Sequence, residues 1–255
     1  MSNLGASLGW GLAVGGSLVA GAVAAALFTL PERVAATVTA FGGGILFSAV
    51  ALELVPEADR EAGAALTALG LLAGTLVYVA ADWWLGRDAD MRAVRRSGHA
   101  AAAGQQMEMP AGRGAAARGE SIAAGIFVDG VPESIALGLT IAEGEIGVAL
   151  LAGILIGNVV EAYGAAQPII AGGHTRRFAV NLLTAIGLAL ALATLLGGTV
   201  LGDASAELVG TAQAVAAGAV LAVVSIAIVP HAFSEVNRVV ASAMAAGFIT
   251  GYLLS

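Results

Sequence analysis

Residues 122–141 read Ile122-Ala-Ala-Gly-Ile-Phe-Val-Asp129-Gly130-Val-Pro132-Glu133-Ser134-Ile-Ala-Leu-Gly-Leu-Thr-Ile141, and residues 150–167 read Leu150-Leu-Ala-Gly-Ile-Leu-Ile-Gly157-Asn158-Val-Val-Glu161-Ala-Tyr163-Gly-Ala-Ala-Gln167. Both runs approach the roughly 20 apolar residues that span a bilayer as a helix. Both carry acids at their centres, and neither contains Arg, Lys or His. An ionised carboxylate at bilayer depth costs several kcal/mol on most scales. It persists where it pairs, faces water or binds a cation. Asp129 and Glu133 are four apart and share a helix face. Asn158 and Glu161 are three apart and do the same. Pro132 has no N–H to donate and its ring clashes with the carbonyl of Val128, which predicts a kink and a free carbonyl oxygen beside the acids. Four oxygen-bearing groups would then converge between two antiparallel helices. Such donors suit hard or borderline divalent cations. The blander reading is a buried network of acids sharing protons, and three acids without a basic partner argue against it.

Working outward, the whole chain has the same character. It has 255 residues, 58% hydrophobic and only 11% charged, with a mean hydropathy of +0.90. A soluble domain carries about 25% charged residues, so this composition describes an integral membrane protein. Abundant Gly and Ala suit close helix packing in lipid. With no Cys, disulfides and thiolate metal sites are excluded. There is no Lys, so all eleven basic residues are Arg, and the net charge is −7. The Arg residues lie in loops without interleaved aromatics, which argues against a nucleic-acid partner. Residues 1–4 lack the positive start of a secretory signal, so the first apolar segment is expected to be a retained span.

Eight spans fit, at about 5–28, 34–58, 63–85, 120–142, 145–171, 178–201, 206–230 and 234–254. They form a single transmembrane domain over residues 1–255. The connection 86–119 is polar, low in complexity and poor in bulky apolar residues, so a flexible loop is expected there. Alternate connections carry Arg33, then Arg87, Arg92, Arg95, Arg96, Arg113 and Arg118, then Arg176 and Arg177, then Arg238; the others carry Arg60 alone. Cytoplasmic loops gather Arg, so this asymmetry puts the 86–119 loop in the cytoplasm and both termini outside a cell membrane.

The sequence also repeats. An offset of 174 aligns Gly44 with Gly218, Val55-Pro56 with Val229-Pro230, Ala58 with Ala232 and Glu61 with Glu235. The matching segments end spans two and seven, which run in opposite directions in this topology. That is the pattern of an inverted repeat, as in transporters with a site at the membrane midplane. The expected architecture is all-α, with spans one to three and six to eight as repeats around four and five, a 3+2+3 arrangement.

Other polar groups carry weaker signals. Glu53 and Glu57 end the second span, Glu53 one turn deeper. His231 and Glu235 are four apart at the end of the seventh, a spacing that can bind a metal or cap a helix. His99 and His174 lie in loops, where solvated side chains are expected. Asp82 precedes Trp83 and Trp84, which look like interfacial anchors. Gln167, Gln213 and Asn181 read as packing.

At these residues the chain resembles the ZIP (Zrt/Irt-like) family of divalent metal transporters. Leu52-Glu53-Leu54-Val55-Pro56-Glu57-Ala58 is similar to the family's second-span ending. Asp129-Gly130-Val131-Pro132-Glu133 resembles its fourth-span His-Asn-x-x-Glu motif, and Gly157-Asn158-Val159-Val160-Glu161 its fifth-span His-Glu-x-x-Glu motif. The resemblance implies a metal site between spans four and five, usually binuclear, and usually a homodimer. Glu133 and Glu161 match the metal-bridging acids. The family's two His positions hold Asp129 and Gly157, its Asn position holds Gly130, and the acid after the second His is Asn158. Without imidazole the set favours harder ions such as Mn²⁺ or Fe²⁺ over Zn²⁺.

The expected function is a permease, not an enzyme, carrying divalent metal ions into the cytoplasm as substrate, with no permanently bound cofactor. The ion would pass Glu53 and Glu57, bind at Asp129, Glu133, Asn158 and Glu161, and leave past His231 and Glu235. The rivals are a translocator of protons or another cation through the same acids, and an intramembrane metal-dependent enzyme.

Overall fold

Backbone polar groups in a bilayer must be satisfied within each segment, so long apolar stretches become helices. The computed structural model describes residues 3–85, 113–144, 146–171, 173–201, 204–229 and 237–255. All regular elements among them are helices. They are α1 (Asn3–Leu27), α2 (Glu32–Ala49, continued by a π-helical turn Val50–Leu54 and by Val55–Ala62) and α3 (Ala64–Leu85). They continue with α4 (Arg113–Ala142), α5 (Val148–Ala171), α6 (Arg176–Leu196 with a π-helical turn Gly197–Leu201), α7 (Ala206–Val223 with a π-helical turn Val224–Ile228) and α8 (Asn237–Leu254). Seven of the described helices are long and apolar enough to cross a membrane, and α8 is apolar but shorter. The chain is built as a multi-pass membrane protein.

One boundary differs clearly from the sequence expectation. α4 begins at Arg113, earlier than the expected 120, so the last residues of the 86–119 loop are helical; residues 86–112 lie outside the described residues. Ala115, Ala116 and Ala117 favour that helical extension despite their weak hydrophobic signal. α4 also runs through Pro132 without interruption.

The π-helical turns in α2 and α7 occupy corresponding places. Val50 and Val224 begin them and Leu54 and Ile228 end them, both pairs 174 residues apart. Each closes on a wide i to i−5 bond: Val55 N–H donates to the Val50 carbonyl, and Val229 N–H to that of Val224. In α2 the turn ends two residues before Pro56, whose missing N–H leaves the ordinary ladder incomplete.

Helix packing follows a regular scheme. α1 packs on α6, α2 on α8, and α3 on α7. α4 and α5 pack on each other; α5 also touches α1 and α2, while α4 touches α6 and α7. Small residues set these distances. A Cβ on Gly15 would stand 2.6 Å from the Gly187 carbonyl oxygen, and one on Gly187 would stand 2.7 Å from that of Gly15. A Cβ on Gly44 would collide with the Met244 carbonyl of α8, and one on Gly218 with the Leu71 carbonyl of α3. α3 is the least buried span and turns Leu69, Leu72, Leu76 and Val77 outward. Trp83 and Trp84 at its end are exposed, as interfacial anchors require.

Candidate metal centre

The four residues singled out on α4 and α5 all lie inside the bundle. Asp129 is 2% exposed, Glu133 5% and Asn158 2%; Glu161 is half-buried. Glu133 lies within electrostatic reach of both Glu161 and Asp129, and Glu161 within reach of Asp129. Ser134, fully buried beside Glu133 in sequence, has a hydroxyl without a partner. Among the described residues, however, no three His, Asp or Glu side chains are gathered closely enough to hold a metal ion.

Neighbouring helices hold two of the four. The Tyr78 hydroxyl of α3 donates to Asp129 Oδ1 at 2.6 Å. Asn158 donates through Nδ2 to the Val14 carbonyl of α1 at 3.4 Å. Tyr78 was not legible as a site residue, because a lone Tyr in an apolar span has no local pattern to mark it. Glycines of the two motifs differ in their surroundings. A Cβ on Gly130 would stand 2.6 Å from Leu190 Cδ1, whereas nothing lies within 4 Å of one on Gly157.

Glu53 has a structural task as well as a place on the expected path. Raised on the π-helical turn of α2, its Oε1 accepts from Ala149 N–H and its Oε2 from Leu150 N–H, both at 3.3 Å. It thereby satisfies free donors at the start of α5, where the helix dipole favours a carboxylate. Glu57 pairs with Arg60. His231, Glu235 and His99 lie outside the described residues. His174 is not simply solvated: its ring stacks on Phe178 with centroids 4.3 Å apart, and its Nε2 is buried. Gln167 does pack, donating to the Ala25 carbonyl at 3.1 Å and the Tyr163 hydroxyl at 3.3 Å. Asn181 is exposed. Gln213 is fully buried with neither amide atom partnered, which packing alone does not account for.

No protein-family model matches the chain, and no curated protein matches it.

Proposed function

We propose that this chain is a ZIP-like permease moving divalent metal ions into the cytoplasm through a carboxylate site between α4 and α5. The observation that carries the reading is the burial of Asp129, Glu133 and Asn158, with Glu161 in electrostatic reach, at mid-span of two packed helices. Buried acids in mutual repulsion need a compensating cation, and a divalent ion supplies it. All donors are oxygens, which favours Mn²⁺ or Fe²⁺ over Zn²⁺.

The packing scheme supports a 3+2+3 inverted repeat. Exchanging α1 with α6, α2 with α7, α3 with α8 and α4 with α5 turns each principal helix contact into another observed one. The matched π-helical turns and the paired glycine contacts follow the same exchange. In this reading the repeats rock about α4 and α5 to open the site to either side. The Arg bias puts both termini outside a cell membrane and the 86–119 loop inside. A homodimer is part of the ZIP resemblance.

A second reading, translocation of protons or another cation by the same acids, draws on one observation: no ready three-acid cluster stands among the described residues. Purified protein in liposomes separates the two. Metal permeation should raise internal Mn²⁺ and respond to a panel of divalent ions. A proton flux that persists without any divalent metal, with no metal uptake, would replace the permease reading by the second.

A further inference from the structure

A cavity of about 500 Å³ lies at the end of the bundle that carries the α2–α3 and α4–α5 turns, away from the acids at mid-span. Its walls include Glu53 and Glu57 of α2, Glu143 of the α4–α5 turn, Arg60, Thr140 and Gln213 of α7. We infer that this cavity is a second cation site, which holds a divalent ion with part of its water shell and uses the Gln213 amide as a ligand.

Acidic walls alone would describe a wet surface. Gln213 distinguishes this cavity. It is 0% exposed, and neither Oε1 nor Nε2 has a hydrogen-bond partner. Leaving both ends of an amide unmade costs free energy, and leucine would fill the same space without it. The amide is complete only with something in the cavity. Its carbonyl oxygen can ligate a hard cation or accept from an ion-bound water, while Nε2 donates to water or a carboxylate. Glu53, Glu57 and Glu143 line the same walls but do not close on one point, so a hard cation there keeps water between itself and some of them. At about 30 Å³ per water the cavity has room for an ion and several waters, and ions such as Mg²⁺ shed water reluctantly. Glu53 can take part while capping α5, because each carboxylate oxygen has two lone pairs.

The proposal rests on the permease reading for its role: an outer station where an ion waits, partly hydrated, before the drier acids at mid-span. The test is Mn²⁺ binding to the purified full chain in detergent, followed by electron paramagnetic resonance. Two classes of bound ion are expected, a tight one and a weak one. Gln213→Leu should weaken the weak class by about tenfold or more, as expected for losing a bond to a charged partner, and leave the tight class unchanged. Its melting temperature should match or exceed wild type, since an orphan amide has been removed. A combined Glu133→Ala, Glu161→Ala variant should do the reverse, losing the tight class and keeping the weak one. Retention of both classes in Gln213→Leu overturns the second site and leaves the central one standing. Retention of both in the combined variant overturns the central site alone. Should Gln213→Leu not fold, Gln213→Glu decides: a carboxylate there must tighten the weak class, and an unchanged affinity overturns the proposal.

Discussion

The hydroxyl of Tyr78 on α3 donates a 2.6 Å hydrogen bond to Oδ1 of Asp129 on α4, and both side chains are 2% exposed. α3 touches α4 only lightly, so this bond is a principal tie between them. It also orients one carboxylate of the central group. Tyr78→Phe should lower stability by about 1–3 kcal/mol, the cost of removing a buried hydrogen bond to a carboxylate. In an Asp129→Leu background the same change should cost much less. Thermal unfolding of the four proteins in detergent measures the coupling. Equal losses in both backgrounds would show that the bond contributes nothing.

Glu133→Ala and Glu161→Ala should each reduce metal uptake to background while the protein still inserts and melts cooperatively. In the proposed site each supplies a ligand and part of the charge that balances a bound cation. Uptake of Mn²⁺ into liposomes is the measurement. A wild-type rate in either variant removes that residue from the central site.

The motif glycines should respond in opposite ways. Gly157→His meets open space at its Cβ and should fold, whereas Gly130→Asn drives a Cβ to 2.6 Å from Leu190 Cδ1 and should destabilise the α4–α6 contact. The imidazole in Gly157→His should shift preference from Mn²⁺ toward Zn²⁺, because nitrogen donors suit Zn²⁺ better. Competition uptake with both ions reads the ratio. An unchanged ratio in a folded, active variant would put residue 157 out of the ion's reach.

Glu53 should matter to α5 before it matters to any ion. Glu53→Ala leaves the Ala149 and Leu150 donors uncapped and should cost about 1 kcal/mol. Glu53→Gln keeps an acceptor and should retain most of that stability. Gly147→Ala should mimic the loss, since its Cβ would stand 2.9 Å from Glu53 Oε2. Hydrogen exchange at the start of α5 checks all three. Protection unaltered in Glu53→Ala would show that the cap is dispensable.

Topology can be read directly, because the chain has no Cys. A single cysteine placed at residue 100 should resist an impermeant thiol reagent in intact cells, and one at residue 63 should react. The opposite pattern would invert the Arg-based orientation.

The sequence alone determined the all-helical, multi-pass construction. Apolar runs of span length leave the backbone no other way to satisfy its polar groups in lipid. It also exposed the acids at 129, 133 and 161, since a charge inside such a run is visible without any fold. The offset of 174 pairs Gly44 with Gly218, and both glycines sit where backbones touch. Tertiary structure decided what those residues meet. Tyr78 reaches Asp129 across 51 positions, Glu53 reaches Leu150 across 97, and Gln213 lines a cavity with residues of α2 and the α4–α5 turn. Such contacts depend on how far one helix slides and rotates on another. That register is set by close glycine contacts between distant segments, and no local period in the chain records it.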